Sequence, residues 1–361
     1  MIKIFDYIRM LPEIETEIIE SIKRVFHSGF LVLGPETEAF EREFANFMGV
    51  THCVGVNSGT TALHLAMLSL DIGPGDEVIT VANTCVPTTS AIALTGARPV
   101  FVDVCACDLT IDPQMVLQAV TENSKCILPV HLWGQSARLI ELQRISADLG
   151  VPLLEDCAQG IGTHGPAGPV GTYGMAGCFS FYPTKNLGAY GDAGAIITDD
   201  GEMAKKIAEK RIYGYTRSNF SEHPGMNARI SEIQAAILRV KLRYLPIWQK
   251  RRVAIAERYL NEIDNESFLL PPKADLGCHG YHQFVIRCQN RANIVRQLED
   301  NFIEWSIHYP TPLHHMKPYM SADLNLPVTD RACEEILSIP VHEALTNQEV
   351  DHIIATLNNC H

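Results

Sequence analysis

Two side chains of this 361-residue chain stand where α/β proteins do chemistry. Asp156 follows the apolar run Val151-Pro152-Leu153-Leu154 and Glu155, which reads as a buried strand delivering an acid at its C-terminal tip. Lys185 comes 29 residues later, after a second apolar strand over residues 177–181 and the segment Tyr182-Pro183-Thr184. Ligands bind outside the carboxyl ends of strands in such sheets. Most loop lysines are simply solvated. This one is preceded by apolar and aromatic residues and followed by Gly188, Ala189, Gly191, Ala193 and Gly194. Desolvation of that kind lowers an amine's pKa until it serves as nucleophile or base.

A Schiff base to pyridoxal phosphate needs such an amine, and an acid that keeps the pyridine nitrogen protonated so that the ring remains an electron sink. Lys185 and Asp156 fit those two jobs. A phosphate needs a third element. Residues 53–56 read as a short strand, and Asn57-Ser58-Gly59-Thr60-Thr61-Ala62-Leu63 opens a helix. That junction offers free N–H groups at a positive helix end. Alone it is an ordinary Ser/Thr cap; beside an acid and a lysine on neighbouring strands, phosphate binding is the better reading.

The elements around these residues alternate. Strands over 77–81, 99–103, 125–130 and 151–154 interleave with helices over 86–95, 113–121 and 137–149, which predicts an α/β fold with a mostly parallel, doubly wound sheet. Helices over 12–28 and 36–48 come first, and one over 200–212 follows, capped by Asp199 or Asp200. A long helix begins near Ile230; Pro246 is expected to break or kink it. The domain boundary is placed there, giving a large domain over 1–245 and a small α+β domain over 246–361. The small domain should hold strands near 281–288 and 303–308, a helix near 291–300, a late strand at 339–342 and a last helix over 346–357.

Composition narrows the function. A net charge of −13 argues against a general nucleic-acid binder but leaves room for a small anionic substrate. No run is long enough to span a membrane, and the acidic N-terminus carries no signal-peptide pattern. Eleven scattered cysteines with no CxxC pair suggest reduced thiols in a cytoplasmic protein. His314-His315 and His279/His282 show no matching acid or thiol cluster, so no metal is expected. Gly160-Ile161-Gly162-Thr163-His164-Gly165 spells GxGxxG, but Pro166, Gly168 and Pro169 forbid the helix that a dinucleotide site requires. Tyr182 and Lys185 also have the wrong spacing for a dehydrogenase YxxxK pair.

The ordered set NSGTTAL, VHLWGQ, LLEDCAQ, SFYPTKNLG, NARISEIQAAIL and HYPTPLH resembles the pyridoxal-phosphate-dependent nucleotide-sugar aminotransferases, the DegT/StrS group of the aspartate-aminotransferase fold (fold type I). The resemblance covers nearly the whole chain. It implies that Lys185 forms the Schiff base, that Asp156 partners the pyridine nitrogen, and that Gln159 lies near the ring hydroxyl. Gly59, Thr60 and Ser180 would hold the phosphate, with Asn227 supplied by the neighbouring subunit of a homodimer with shared active sites. His131, Tyr182, Arg229, His308 and Tyr309 are expected near substrate, although Arg229 could equally pair with Glu232 as a structural residue. Arg217, Arg243 and Lys317 are candidates for a diphosphate. The implied reaction moves an amino group from L-glutamate, released as 2-oxoglutarate, to a nucleotide-linked ketosugar.

One departure concerns the face of the ring. Where relatives carry an aromatic residue after a threonine, this chain has Asn83-Thr84-Cys85. Either Cys85, a soft apolar group, covers the ring, or Trp133 or another ring does. Family members that remove a hydroxyl have histidine in place of the lysine; Lys185 argues against that chemistry. An eliminase, an amino-acid aminotransferase and a non-catalytic regulatory homologue are the competing readings.

Overall fold

The computed structural model describes residues 1–273, 279–320 and 324–360. Its centre is a twisted sheet built from two ladders. One contains β1 (His52–Val56), β5 (Leu154–Asp156), β6 (Ala176–Ser180) and β7 (Gly194–Thr198), in the order β1-β7-β6-β5. The other contains β2 (Glu77–Val81), β3 (Arg98–Val102) and β4 (Ser124–Ile127), in the order β3-β2-β4. Parallel bridges Ile127–Leu153 and Val130–Asp156 join them edge to edge. Pairing is parallel except around β7, which runs antiparallel to β1 and β6. The sheet is thus mostly parallel and doubly wound.

Both faces are covered, which is why the strands are apolar on both sides. Successive side chains alternate. Cys53, Phe179, Ala195 and Ile197 pack with Phe40 and Phe44 of α2 (Pro35–Met48) and Leu238 and Leu242 of α8 (Glu232–Glu262). Val54, Val56, Cys178 and Ile196 face the other way. They meet α3 (Gly59–Ser69), α4 (Val86–Thr95) and α7 (Gly201–Lys210). On the first face Phe181 meets Phe40 and Phe44 edge-on, at centroid distances of 5.4 and 5.2 Å. Such pairs add about 0.5–1.5 kcal/mol each beyond their burial, and they anchor the strand end that leads to Lys185.

The C-terminal part has its own core. β9 (Phe284–Cys288) pairs antiparallel with β8 (Phe268–Leu269) and β10 (Ile336–Ile339). Ile286 and Leu337 pack there with Ile255 and Tyr259 of α8 and with Ile353 and Leu357 of the last helix, Asn347–Asn358. Thr346 caps that helix in a reciprocal capping box with Glu349.

Three expectations change. Pro246 does not break α8, a single helix of 31 residues that runs through it to Glu262. The interior proline costs about 3 kcal/mol; packing of Leu245 and Trp248 on either side of it offsets that cost. The strand expected over 303–308 is reduced to isolated bridges, Ile2–Ile303 and Ser306–Ser338. The late strand precedes Pro340 instead of containing it, because proline lacks the ladder's N–H. Asp200 is the cap of α7, while Asp199 accepts from Thr51. The GxGxxG segment forms turns and a hairpin, His164–Gly165 with Gly168–Pro169, and no helix. Cysteines among the described residues are unpaired, and no described helix is long and apolar enough to cross a membrane.

Candidate active site

The C-terminal ends of β5 and β6 and the start of α3 open on one cavity of about 410 Å³. Gly59, Thr60, Cys85, Asp156, Gln159, Ser180, Tyr182, Lys185, His308 and Tyr309, all named from sequence, line it. The turn after β6 aims the lysine: Lys185 N donates to Tyr182 O, and Ala189 N returns to Phe181 O, both at 2.8 Å. Burial lowers the Lys185 pKa to about 8, against the opposing pull of the Asp156 charge.

Asp156 is 2 % exposed. Burial raises its pKa. Opposing that, Ala158 N donates to Oδ1 at 3.0 Å and Thr88 Oγ1 donates to Oδ2 at 2.8 Å. The charge of Lys185 acts in the same downward direction. A cation above Asp156 would therefore find a carboxylate already positioned and in need of a counter-charge.

The phosphate subsite passes a steric test. Gly59 N and Thr60 N have no hydrogen-bond partner among the described residues, while the Ser58 side chain accepts from Thr61 N. A Cβ on Gly59 would stand 2.7 Å from Ser180 Cβ, so only glycine lets the helix start reach the strand end. Two free amides, a helix N-terminus and the Ser180 hydroxyl suit a phosphate dianion. Together with an amine and an acid on the same cavity, these residues fit pyridoxal phosphate.

Several residues sit elsewhere than expected. His131 does not line the cavity: it is fully buried, with Nε2 3.0 Å from Glu155 and Nδ1 accepting from Ala137 N. Arg229 lies outside this cavity; its Nε donates to Asn227 Oδ1 at 2.9 Å. It does not pair with Glu232, which is buried and accepts from Gly34, Glu36 and Thr37 amides. Asn227 is exposed and outside its own chain's cavity. Trp133 lines a separate cavity with Leu269 and Leu270, whereas Cys85 lines this one together with the rings of Tyr182, His282, His308 and Tyr309. Arg217 stacks on Phe220, Arg243 pairs with Glu17, and neither they nor Lys317 lines the cavity.

The sequence reading missed Thr88, the hydroxyl on Asp156. Thr84 bonds it in turn at 2.9 Å, and their spacing of one helical turn was the available signal. It also passed over His282, which lines the cavity with Nδ1 3.2 Å from Asn186 Oδ1. Burial drives its pKa well down. Gln159 is engaged at both ends, accepting from Trp133 N and donating to Tyr309 OH at 3.1 Å. Tyr309 is pushed up by burial, and His308 is lowered to about 4 by burial and the Lys185 charge.

Residues 12–358 match the DegT/DnrJ/EryC1/StrS aminotransferase family. The chain is 43% identical over 351 residues to the Saccharopolyspora erythraea erythromycin biosynthesis sensory transduction protein EryC1, covering 96% of this chain and 95% of that one. It is 40% identical over 360 residues to a Micromonospora megalomicea dTDP-3-amino-3,4,6-trideoxy-alpha-D-glucose transaminase, covering 97% and 96%. The fold superposes on the crystal structure of S. venezuelae DesV in complex with a ketimine intermediate, with TM-score 0.95, 36% identity and coverage of 98% and 96%. A full-length family match and a cavity whose lysine, acid and helix start suit the cofactor lead to one conclusion: the chain belongs to the DegT/DnrJ/EryC1/StrS aminotransferase family and is a pyridoxal-phosphate-dependent transaminase.

Proposed function

We propose that this enzyme moves an amino group from L-glutamate to a nucleotide-linked keto-deoxysugar, with dTDP-linked 3-keto or 4-keto 6-deoxyhexoses as the leading acceptors. The product is an aminosugar for a polysaccharide, a lipopolysaccharide or a glycosylated natural product. The observation that carries the reading is the desolvated Lys185 and the buried Asp156 on one cavity below the free amides of α3. The named dTDP-sugar transaminase among the relatives supports the acceptor class. One relative's name speaks of sensory transduction; a purely regulatory protein has no need of a buried acid facing a lysine across a cavity.

When bound, pyridoxal phosphate supplies an electron sink for charge at the donor's Cα. Lys185 Nζ takes the proton from that Cα, acting as base while neutral. Asp156 holds a positive charge at the ring nitrogen, oriented by Thr88 and Ala158. Gly59 and Thr60 amides and Ser180 Oγ fix the phosphate end. Tyr182, half exposed at the rim, and His308 and Tyr309 face the entering substrate.

The enzyme is proposed to work as a homodimer in a reducing cytoplasm. Exposed Phe30, Leu31 and Val32, and an exposed Asn227 outside its own cavity, support a shared site. Residues 1–245 and 246–361 are proposed as two units sharing α8; hydrogen exchange should resolve two cooperative units, and a single one would refute the division. The deciding assay incubates holoenzyme and glutamate with dTDP-, UDP-, GDP- and CDP-linked ketosugars and reads product mass. No aminated nucleotide sugar from any of them would refute the acceptor class.

A further inference from the structure

Away from the cavity, three ligand-type atoms converge with little else to bind. The sequence alone gave the His314-His315 pair no acidic partner, but folding brings Asp330 to it. His314 Nε2 lies 3.2 Å and His315 Nε2 3.4 Å from Asp330 Oδ1. His314 is 1 % exposed, yet neither of its ring nitrogens has a hydrogen-bond partner, and the buried Asp330 Oδ1 has none either. Buried polar atoms left this way cost about 1–3 kcal/mol each. Ligands about 2.0–2.1 Å from a tetrahedral ion stand roughly 3.3 Å apart; both His–Asp contacts match that separation, and all three ligand atoms lie within 4.8 Å of one another.

We propose that His314, His315 and Asp330 form a site for a zinc-like divalent transition-metal ion, with water completing a four-coordinate shell. Two imidazoles and one carboxylate are a borderline donor set suited to zinc or cobalt rather than to magnesium or calcium. His315 is 53 % exposed on its side chain, so the ion has an entry path and room for water. The other His/acid/thiol cluster, His131–Glu155–Cys157, differs: Glu155 already accepts from Gly171, Tyr173 and Gly174 amides and contacts His131.

The elements explain what such an ion would do. His314 and His315 lie on the short turn Leu313–His315, whose Leu313 N donates to Ala82 O just before Asn83-Thr84-Cys85. Asp330 lies in the first turns of α10 (Pro327–Glu335), whose start is held by Asp103 through Val328 N and Thr329 N. A shared ion would staple the loop that carries Tyr309 into the cavity onto α10. It is a structural tie, and the chemistry does not pass through it.

The test uses holoenzyme stripped with a chelator, then dialysed against zinc or cobalt and freed of excess metal. His315→Ala and Asp330→Asn are treated alongside, so metal held by the cofactor cancels in the difference. The site requires one more ion per chain in the parent than in either variant, tetrahedral cobalt absorption in the parent only, and a zinc-dependent rise in Tm that His315→Ala abolishes. Turnover of the variants should stay within about twofold of the parent. Equal metal content in parent and variants, or no uptake by the parent, overturns the proposal.

Discussion

Two lysines of this chain are lowered to about 8 by desolvation: Lys185, half-buried after β6, and Lys241, buried in the middle of α8. Their surroundings separate them. Lys241 Nζ donates to the Gly188 carbonyl and lies over the Tyr190 ring, 4.8 Å from its centroid. It is enclosed and has work to do as a strut under the loop that carries the other lysine. Lys185 looks into a cavity toward an acid. A perturbed pKa therefore marks burial, and the open space beside the group marks chemistry. The adjacent acids repeat the lesson. Glu155 is consumed by three backbone amides and His131, whereas Asp156 faces the cavity.

The contrast can be broken most sharply by exchanging the lysines' fates. Lys185→Ala should lose turnover by about 10⁴-fold or more, together with the absorbance of the lysine-linked cofactor; Lys241→Met should keep both within a few-fold. Equal losses in steady-state assays would end the distinction. Next in size, Asp156→Asn should cost roughly 10²–10³-fold in kcat, on the scale of losing one preorganised electrostatic contact. Glu155→Gln should instead reduce stability by about 1–3 kcal/mol in urea titrations, leaving the folded fraction active. Thr88→Val should cost about tenfold, the worth of one hydrogen bond to a charged group, and a Thr88→Ser protein should recover most of it.

The smallest effect concerns pH. In apoprotein the Lys185 value is lowered to about 8 from 10.5. Folded protein then binds fewer protons than unfolded chain between those values, so this lysine's contribution to stability rises with pH across that window. Below pH 8 its burial is a net cost. Lys185→Met apoprotein should accordingly melt higher than the parent at pH 7, and the gap should shrink as pH approaches 10. Cofactor uptake by the parent should quicken toward pH 8 and level off above it, since the neutral amine is the nucleophile. A gap that widens with pH in thermal melts would contradict the assigned burial cost.

Much of this was legible because the fold writes itself in runs and punctuation. The β2 and α4 bounds read from apolar periodicity coincide with those in the structure, and Lys185, Asp156 and the start of α3 were found from their places at element ends. What stayed hidden depends on contacts distant in sequence. His131 looks like a substrate ligand until Glu155 and Ala137 close on it. Asp330 meets the histidine pair only through the packing of α10. Pro246 shows the limit of local rules: a helix breaker by propensity, it is outvoted by tertiary packing on both sides.

The four contacts on Glu155 tie the floor of the cavity mainly through main-chain amides of residues 171–174. Two of the three donors must stay glycine, since a Cβ on Gly171 would stand 2.9 Å from the Phe179 ring and one on Gly174 closer still to the Leu153 carbonyl oxygen, so the tie is set by the main chain and takes nothing from the rim. Diversification of the rim, at Tyr182 and His308, can thus proceed without disturbing the registry of lysine and acid, so a descendant could inherit the reaction intact while acquiring a different sugar.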